Sequence, residues 1–104
     1  MQNDEMGETF DKYYDKKIVT ALIGLEVDVT EIDAVINNIS KDSNVEDAYV
    51  VTGDFDIIIK VRFPDYQELQ KYLMTKISKL KGVKDSKTMM VISIKKEDNT
   101  TFTE

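Results

Sequence analysis

VEDAYVVTGDFDIIIKVRF, residues 45–63, is the stretch that decides the fold. Phe55, Ile57, Ile59, Val61 and Phe63 alternate with their neighbours at the period of two that one buried strand face requires. Val45 to Thr52 reads as a second strand, rich in β-branched and aromatic residues. Between them Gly53-Asp54 interrupts the pattern as a tight hairpin turn does, of type I′ or a related form. The middle of the chain is therefore expected to be an antiparallel hairpin, with 55–63 as its longer arm.

Working outward, IVTALIGLEV (18–27) is a first strand, with Val19, Ala21, Ile23, Leu25 and Val27 on one face. A helix follows it. Thr30 is the expected N-cap, with Asp33 in the capping-box position, and Ile32, Val35, Ile36 and Ile39 form the apolar stripe. Downstream of the hairpin, Pro64 suits a first helical turn. Tyr66, Leu69, Leu73, Ile77 and Leu80 form the stripe of a second helix, and Gly82 ends it. A last strand is expected over about 83–94. The order β-α-β-β-α-β predicts an α+β, ferredoxin-like fold: a four-stranded antiparallel sheet with two helices on one face. Residues 18–94 form the domain, 1–17 a polar N-terminal arm whose Phe10, Tyr13 and Tyr14 could dock on a neighbour, and 95–104 a polar C-terminal tail.

Helices on one face leave the other face open. The first strand puts Ile18, Thr20, Leu22 and Gly24 there, and the third puts Ile58 between Asp56 and Lys60. The last strand adds Met89 and Val91 or Met90 and Ile92, depending on register. A solvated face would read polar throughout, so this patch points to a partner surface, with Leu22 and Ile58 as its interface residues and a second copy as the simplest partner.

Composition narrows the function. The 104 residues suit one domain and carry a formal charge of −6, which disfavours direct nucleic-acid binding. The absence of cysteine and histidine removes thiol chemistry, thiolate metal sites and the commonest general acid–base group. The N-terminal stretch has no apolar signal region and no run approaches membrane-spanning length, so a cytoplasmic location without membrane contact is expected. The acidic residues lack calcium-loop spacing, and no phosphate-binding, zinc-protease or nucleophile-elbow motif occurs. No cofactor, metal or catalytic residue is expected.

Two short segments could carry a site. Thr52-Gly53-Asp54-Phe55-Asp56 is either a plain turn or a backbone nest, in which Gly53 lets a ligand approach and N–H groups meet its carboxylate. Ser86 and Thr88 lie two apart on one strand face, although hydroxyl residues often open strands by propensity alone.

These segments also resemble a family. IVTALIGLEV, NVEDAYVVTGDFDIIIKV and KLKGVKDSKTMMVI together resemble the effector-binding (RAM) domain of Lrp/AsnC transcription regulators: a strand, T-G-x-[YF]-D, an apolar strand, then G-V followed by spaced Ser/Thr. Members usually carry an N-terminal helix-turn-helix, whereas only 17 residues precede the first strand here, so the chain looks like the stand-alone form. The resemblance implies a homodimer through the sheet face, tetramers to octamers built from dimers, an amino acid bound between dimers, and co-assembly with full-length Lrp/AsnC regulators. It places Thr52, Gly53, Asp54, Asp56, Ser86 and Thr88 at the ligand, with Tyr72 and Lys76 reading its side chain from the second helix. Lys76 would then favour a polar or acidic ligand over a lysine-like one. Two other functions share this fold, a cofactor-free monooxygenase or isomerase and an ACT-like regulatory subunit. The missing histidine weighs against the first, and the absence of a Gly-rich first turn at Glu26–Thr30 against the second.

Overall fold

The computed structural model describes residues 18–102. The expected N-terminal arm and its three aromatic residues lie outside them. Strand β1 (Val19–Val27) leads to helix α1 (Ile32–Ser40), then β2 (Val45–Val50), β3 (Ile57–Phe63), helix α2 (Tyr66–Thr75) and β4 (Val83–Met90). The sheet is antiparallel in the order β2-β3-β1-β4. Ala21, Ile23, Leu25 and Val27 of β1 and Ile57, Ile59, Val61 and Phe63 of β3 form the core with Val35, Ile39, Leu69, Tyr72 and Ile77 from the helical side. The period-two faces of β1 and β3 are buried as expected, because each strand lies in the middle of the sheet.

Several local expectations are corrected. Thr30 does not cap the first helix: a 3-10 turn (Val29–Glu31) precedes it and is capped by Asp28, whose carboxylate accepts from the Thr30 N–H at 3.2 Å, while Glu31 stands at the N-cap of the α-helix itself without a side-chain cap bond. An acidic side chain meets the exposed N–H groups at the start of a turn better than a hydroxyl does. Asp65 caps the second helix by accepting from Glu68 N at 2.8 Å, so Pro64 stands just outside it. Tyr66 is exposed and Tyr72 takes the inward position, its ring 5.1 Å from Phe63.

The hairpin connection is longer than two residues. It runs from Val51 to Asp56, closed by Val51 N donating to Asp56 O at 2.9 Å, and Gly53 sits at φ +128°. Phe55 therefore does not continue the β3 alternation. Its ring lies on the opposite sheet face over Gly24, where a Cβ would come within 2.6 Å of it. Glycine at 24 thus makes room for an aromatic cover on the open face.

Asp56 turns the other way, and its carboxylate accepts from Val27 N at 2.8 Å while its own N–H donates to Leu25 O at 2.9 Å. This fastens the loop to the end of β1, where the β1–β4 register shifts between Glu26 and Val27. Asp56→Ala is expected to cost about 2 kcal/mol, the worth of a charge-assisted bond whose N–H donor is left without it. Urea denaturation reads this as a lower midpoint at unchanged slope, and an unshifted midpoint would contradict the assignment.

The expected last strand stops at Met90, and the expected tail is folded. β5 (Lys96–Glu97) and β6 (Thr100–Thr101) form a small hairpin whose turn, Asp98-Asn99, has positive φ at both residues. Through Glu97 this hairpin bonds to Lys60 and Arg62 on the open face, so the boundary expected at residue 94 cuts through a folded unit. No helix among the described residues is long and apolar enough to cross a membrane.

Candidate functional site

The candidate ligand residues gather at one end of the sheet because strand register puts them there. Ile57, the first residue after the 51–56 loop, pairs with Leu25, and Leu25 pairs with Ser86. Loop and Ser86 thus lie in one row, two strands apart, which is about 10 Å. Thr52, Gly53 and Asp54 are exposed, and nothing lies within 4 Å of a Cβ built on Gly53, so the backbone there is open to approach. Ser86 is exposed and Thr88 half-buried, both on the helix-facing side of the edge strand, since they pair with the core residues Leu25 and Ile23. Lys76 is half-buried at the C-terminal end of α2, its N–H donating to Tyr72 O at 2.8 Å. Helix α2 starts after Phe63, at the far end of β3, and returns toward the loop end where β4 begins.

Two of the candidate residues have other work. Asp56 spends its carboxylate on Val27 N. Tyr72 lies in the core against Phe63, at the opposite end of β3 from the loop, and burial together with the nearby Asp42 carboxylate pushes its pKa up. The helix rolls so that Leu69 and Tyr72 face inward together, so Tyr72 lies in the core and not on the ligand-reading surface that the resemblance implied for it and Lys76. What remains at this end of the sheet is an open glycine backbone, the Asp54 carboxylate and two hydroxyls, donors for a carboxylate and acceptors for an amine, with Lys76 at the C-terminal end of α2.

The open sheet face holds a second cluster that sequence reading missed. Pairing of Leu22 with Met89, and Val91 N donating to Thr20 O at 2.9 Å, settle the β4 register: Met89 and Val91 share the open face, not Met90 and Ile92. Leu22 and Ile58 are half-buried there, with Tyr49 opposite Ile58. The rest of the face is ionic. Arg62 clasps Glu46 through Nε and Nη2, donates from Nη2 to Glu97 at 2.8 Å, and donates from Nη1 to Thr20 Oγ1 at 2.8 Å. Lys60 Nζ bonds Glu97 at 2.7 Å and lies 3.1 Å from Asp47. Burial alone would depress both cations, but their carboxylate partners outweigh it and raise them, while the Arg62 hydrogen bonds hold Glu46 below its usual value. The visible signal was Lys60 and Arg62 alternating into an otherwise apolar strand; their acidic partner Glu97 is 35 residues from Arg62. A cleft of about 380 Å3 lies between this face and the C-terminal hairpin, lined by Thr20, Leu22, Tyr49, Lys60, Ile94 and Glu97 among others. Among the described residues no group of three or more acidic, histidine or cysteine side chains could hold a metal ion.

Comparison with known proteins agrees with this architecture. An uncharacterised HTH-type transcriptional regulator of Pyrococcus horikoshii is 30% identical over 78 residues, which is 75% of this chain and 49% of the regulator. This chain spans about half the length of the curated relatives it matches. Among solved structures, a hypothetical protein of P. horikoshii superposes with a TM-score of 0.68 at 29% identity, covering 73% of this chain and 92% of that one. E. coli AsnC superposes with a TM-score of 0.70 at 25% identity, covering 73% of this chain and 52% of that one. The family model described as the Lrp/AsnC ligand binding domain matches residues 20–101, including the C-terminal hairpin. This chain therefore belongs to the Lrp/AsnC ligand-binding domain family.

Proposed function

We propose that this chain is a stand-alone amino-acid-sensing domain that oligomerises through its open sheet face and acts on transcription by co-assembling with Lrp/AsnC-type regulators. The observation that carries the reading is the open corner where the loop bearing Gly53 and Asp54 leads into the row of Ser86, with Thr88 two residues further along β4 on the same strand face. Its donors and acceptors suit the two charged ends of an amino acid, and Lys76 favours a polar or acidic ligand side chain. The reading carries no enzymatic step and no cofactor. It also carries a cytoplasmic location, and the charge of −6 leaves DNA contact to the partner regulator.

Calorimetry with a panel of amino acids tests it. At least one polar or acidic amino acid is expected to bind. Asp54→Ala should weaken binding at least tenfold, and Lys76→Glu should shift preference toward basic ligands. If no amino acid binds, the sensing role falls. If binding survives but Lys76→Glu leaves preference unchanged, only the specificity role of Lys76 falls.

A further inference from the structure

We infer that Phe55 is a positioning residue for the ligand loop, and that its seat on Gly24, on the opposite face of the sheet, decides where Gly53 and Asp54 stand. The binding consequence rests on the sensing role proposed above; the positioning rests on packing alone. The loop from Val51 to Asp56 is held at its two ends. Val51 N donates to Asp56 O at 2.9 Å, Asp56 N donates to Leu25 O at 2.9 Å, and the Asp56 carboxylate accepts from Val27 N at 2.8 Å. Between these ends, no hydrogen bond among the described residues holds Thr52, Gly53 or Asp54. All three are exposed, and a Cβ built on Gly53 meets nothing within 4 Å. The half-buried side chain of Phe55 supplies the remaining tether. Its ring lies over Gly24, which pairs with Ile58 on one side and Lys87 on the other.

The seat is tight at the root of the ring. A Cβ at position 24 would stand 2.6 Å from Phe55 Cγ and 2.7 Å from each Cδ. Turning the ring about χ2 leaves Cγ where it is. Only a different χ1 rotamer or a shift of the loop backbone relieves such a contact. Asp56 is fastened to β1 through both its N–H and its carboxylate, so the shift falls on residues 52–54. Ser86 and Thr88 pair with the core residues Leu25 and Ile23 and project from the other sheet face. Phe55 therefore acts through Gly53 and Asp54 and not on the ligand itself. A loop already ordered by its aromatic anchor presents the Gly53 backbone and the Asp54 carboxylate without losing their freedom at the moment of binding.

The chain has no cysteine, so a nitroxide attached to Thr52→Cys reports the loop by electron spin resonance without any ligand. Phe55→Ala and Gly24→Ala should each mobilise the label, while circular dichroism remains that of the folded chain. Calorimetry with L-glutamate on the unlabelled variants should show binding weakened about tenfold by either substitution. In the double variant Gly24→Ala should add nothing to Phe55→Ala, because both remove one contact. Phe55→Tyr keeps the ring and its root and should bind within about twofold of the wild type. Phe55→Ala and Phe55→Tyr decide the point even where Gly24→Ala unfolds the chain. If the wild type binds no L-glutamate, the acidic-ligand preference proposed above falls, and the label alone decides the positioning. An unchanged label in Phe55→Ala, a folded Phe55→Ala that binds L-glutamate as the wild type does, or an undiminished effect of Gly24→Ala in the Phe55→Ala background would each overturn the inference.

Discussion

Leu22→Asp is expected to reduce the assembly to half its mass or less while the chain stays folded. Leu22 is half-buried on the open face, between Lys60 of β3 and Met89 of β4. In a single copy the new carboxylate would lie beside the Lys60 ammonium and near water, so the fold should tolerate it. Against a second sheet the same carboxylate loses its water and becomes one charge too many in a cluster already holding Glu46, Asp47 and Glu97. An uncompensated buried charge costs several kcal/mol, enough to dissociate a contact of ordinary affinity. Sedimentation velocity reads the mass and circular dichroism the fold. A folded variant at wild-type mass would remove the open face as an interface and leave the domain assignment intact. An unfolded variant would show that Leu22 serves the fold itself, and the same experiment on Ile58→Asp would then decide the interface.

Arg62→Ala is expected to lower the stability by about 3 kcal/mol, because it removes one partner from a largely buried ionic network. The guanidinium side chain is 9% exposed and holds Glu46, Glu97 and Thr20 at once. Its loss leaves Glu97, 11% exposed, with Lys60 as the remaining cation of the network. The C-terminal hairpin should loosen as a result, and limited trypsinolysis should cut faster after Lys95 and Lys96 than in the wild type. Acid should act through the same contacts. Arg62 holds Glu46 below its ordinary value of 4.5. The unfolded chain therefore takes up this proton first, and the stabilisation is present above that value and lost as pH falls through the lower folded one. Urea midpoints should drop between about pH 5 and pH 3, with a shallower drop in Arg62→Ala. Equal acid sensitivity in both proteins would show that other carboxylates control the acid transition.

The ligand corner and the ionic face differ in how far the sequence reveals them. Gly53 and Asp54 announce a loop locally, and Ser86 and Thr88 share a face because any strand alternates; register then brings the two segments to the same end of the sheet. Asp56 and Phe55 mislead for one reason. The pattern through Phe63 runs back to Phe55 without a break, yet the chain turns between Phe55 and Ile57, so Phe55 covers Gly24 and Asp56 caps Val27. Tyr72 misleads because Tyr66 and Tyr72 are equally plausible on the inward stripe, and the roll of the helix on Phe63 decides between them.

By itself the sequence determined the order of the elements and the buried faces of β1 and β3. These depend on periods of two and 3.6 residues and on turn chemistry, which act over neighbouring positions. Tertiary structure alone decided the register of β4, whose sequence is too evenly polar to favour either face, and the fate of residues 95–102. That segment looks like a solvated tail because Glu97, which ties it to the sheet, is polar. It becomes part of the fold through Lys60 and Arg62, and charges so far apart in sequence reveal their pairing only when the chain between them has folded.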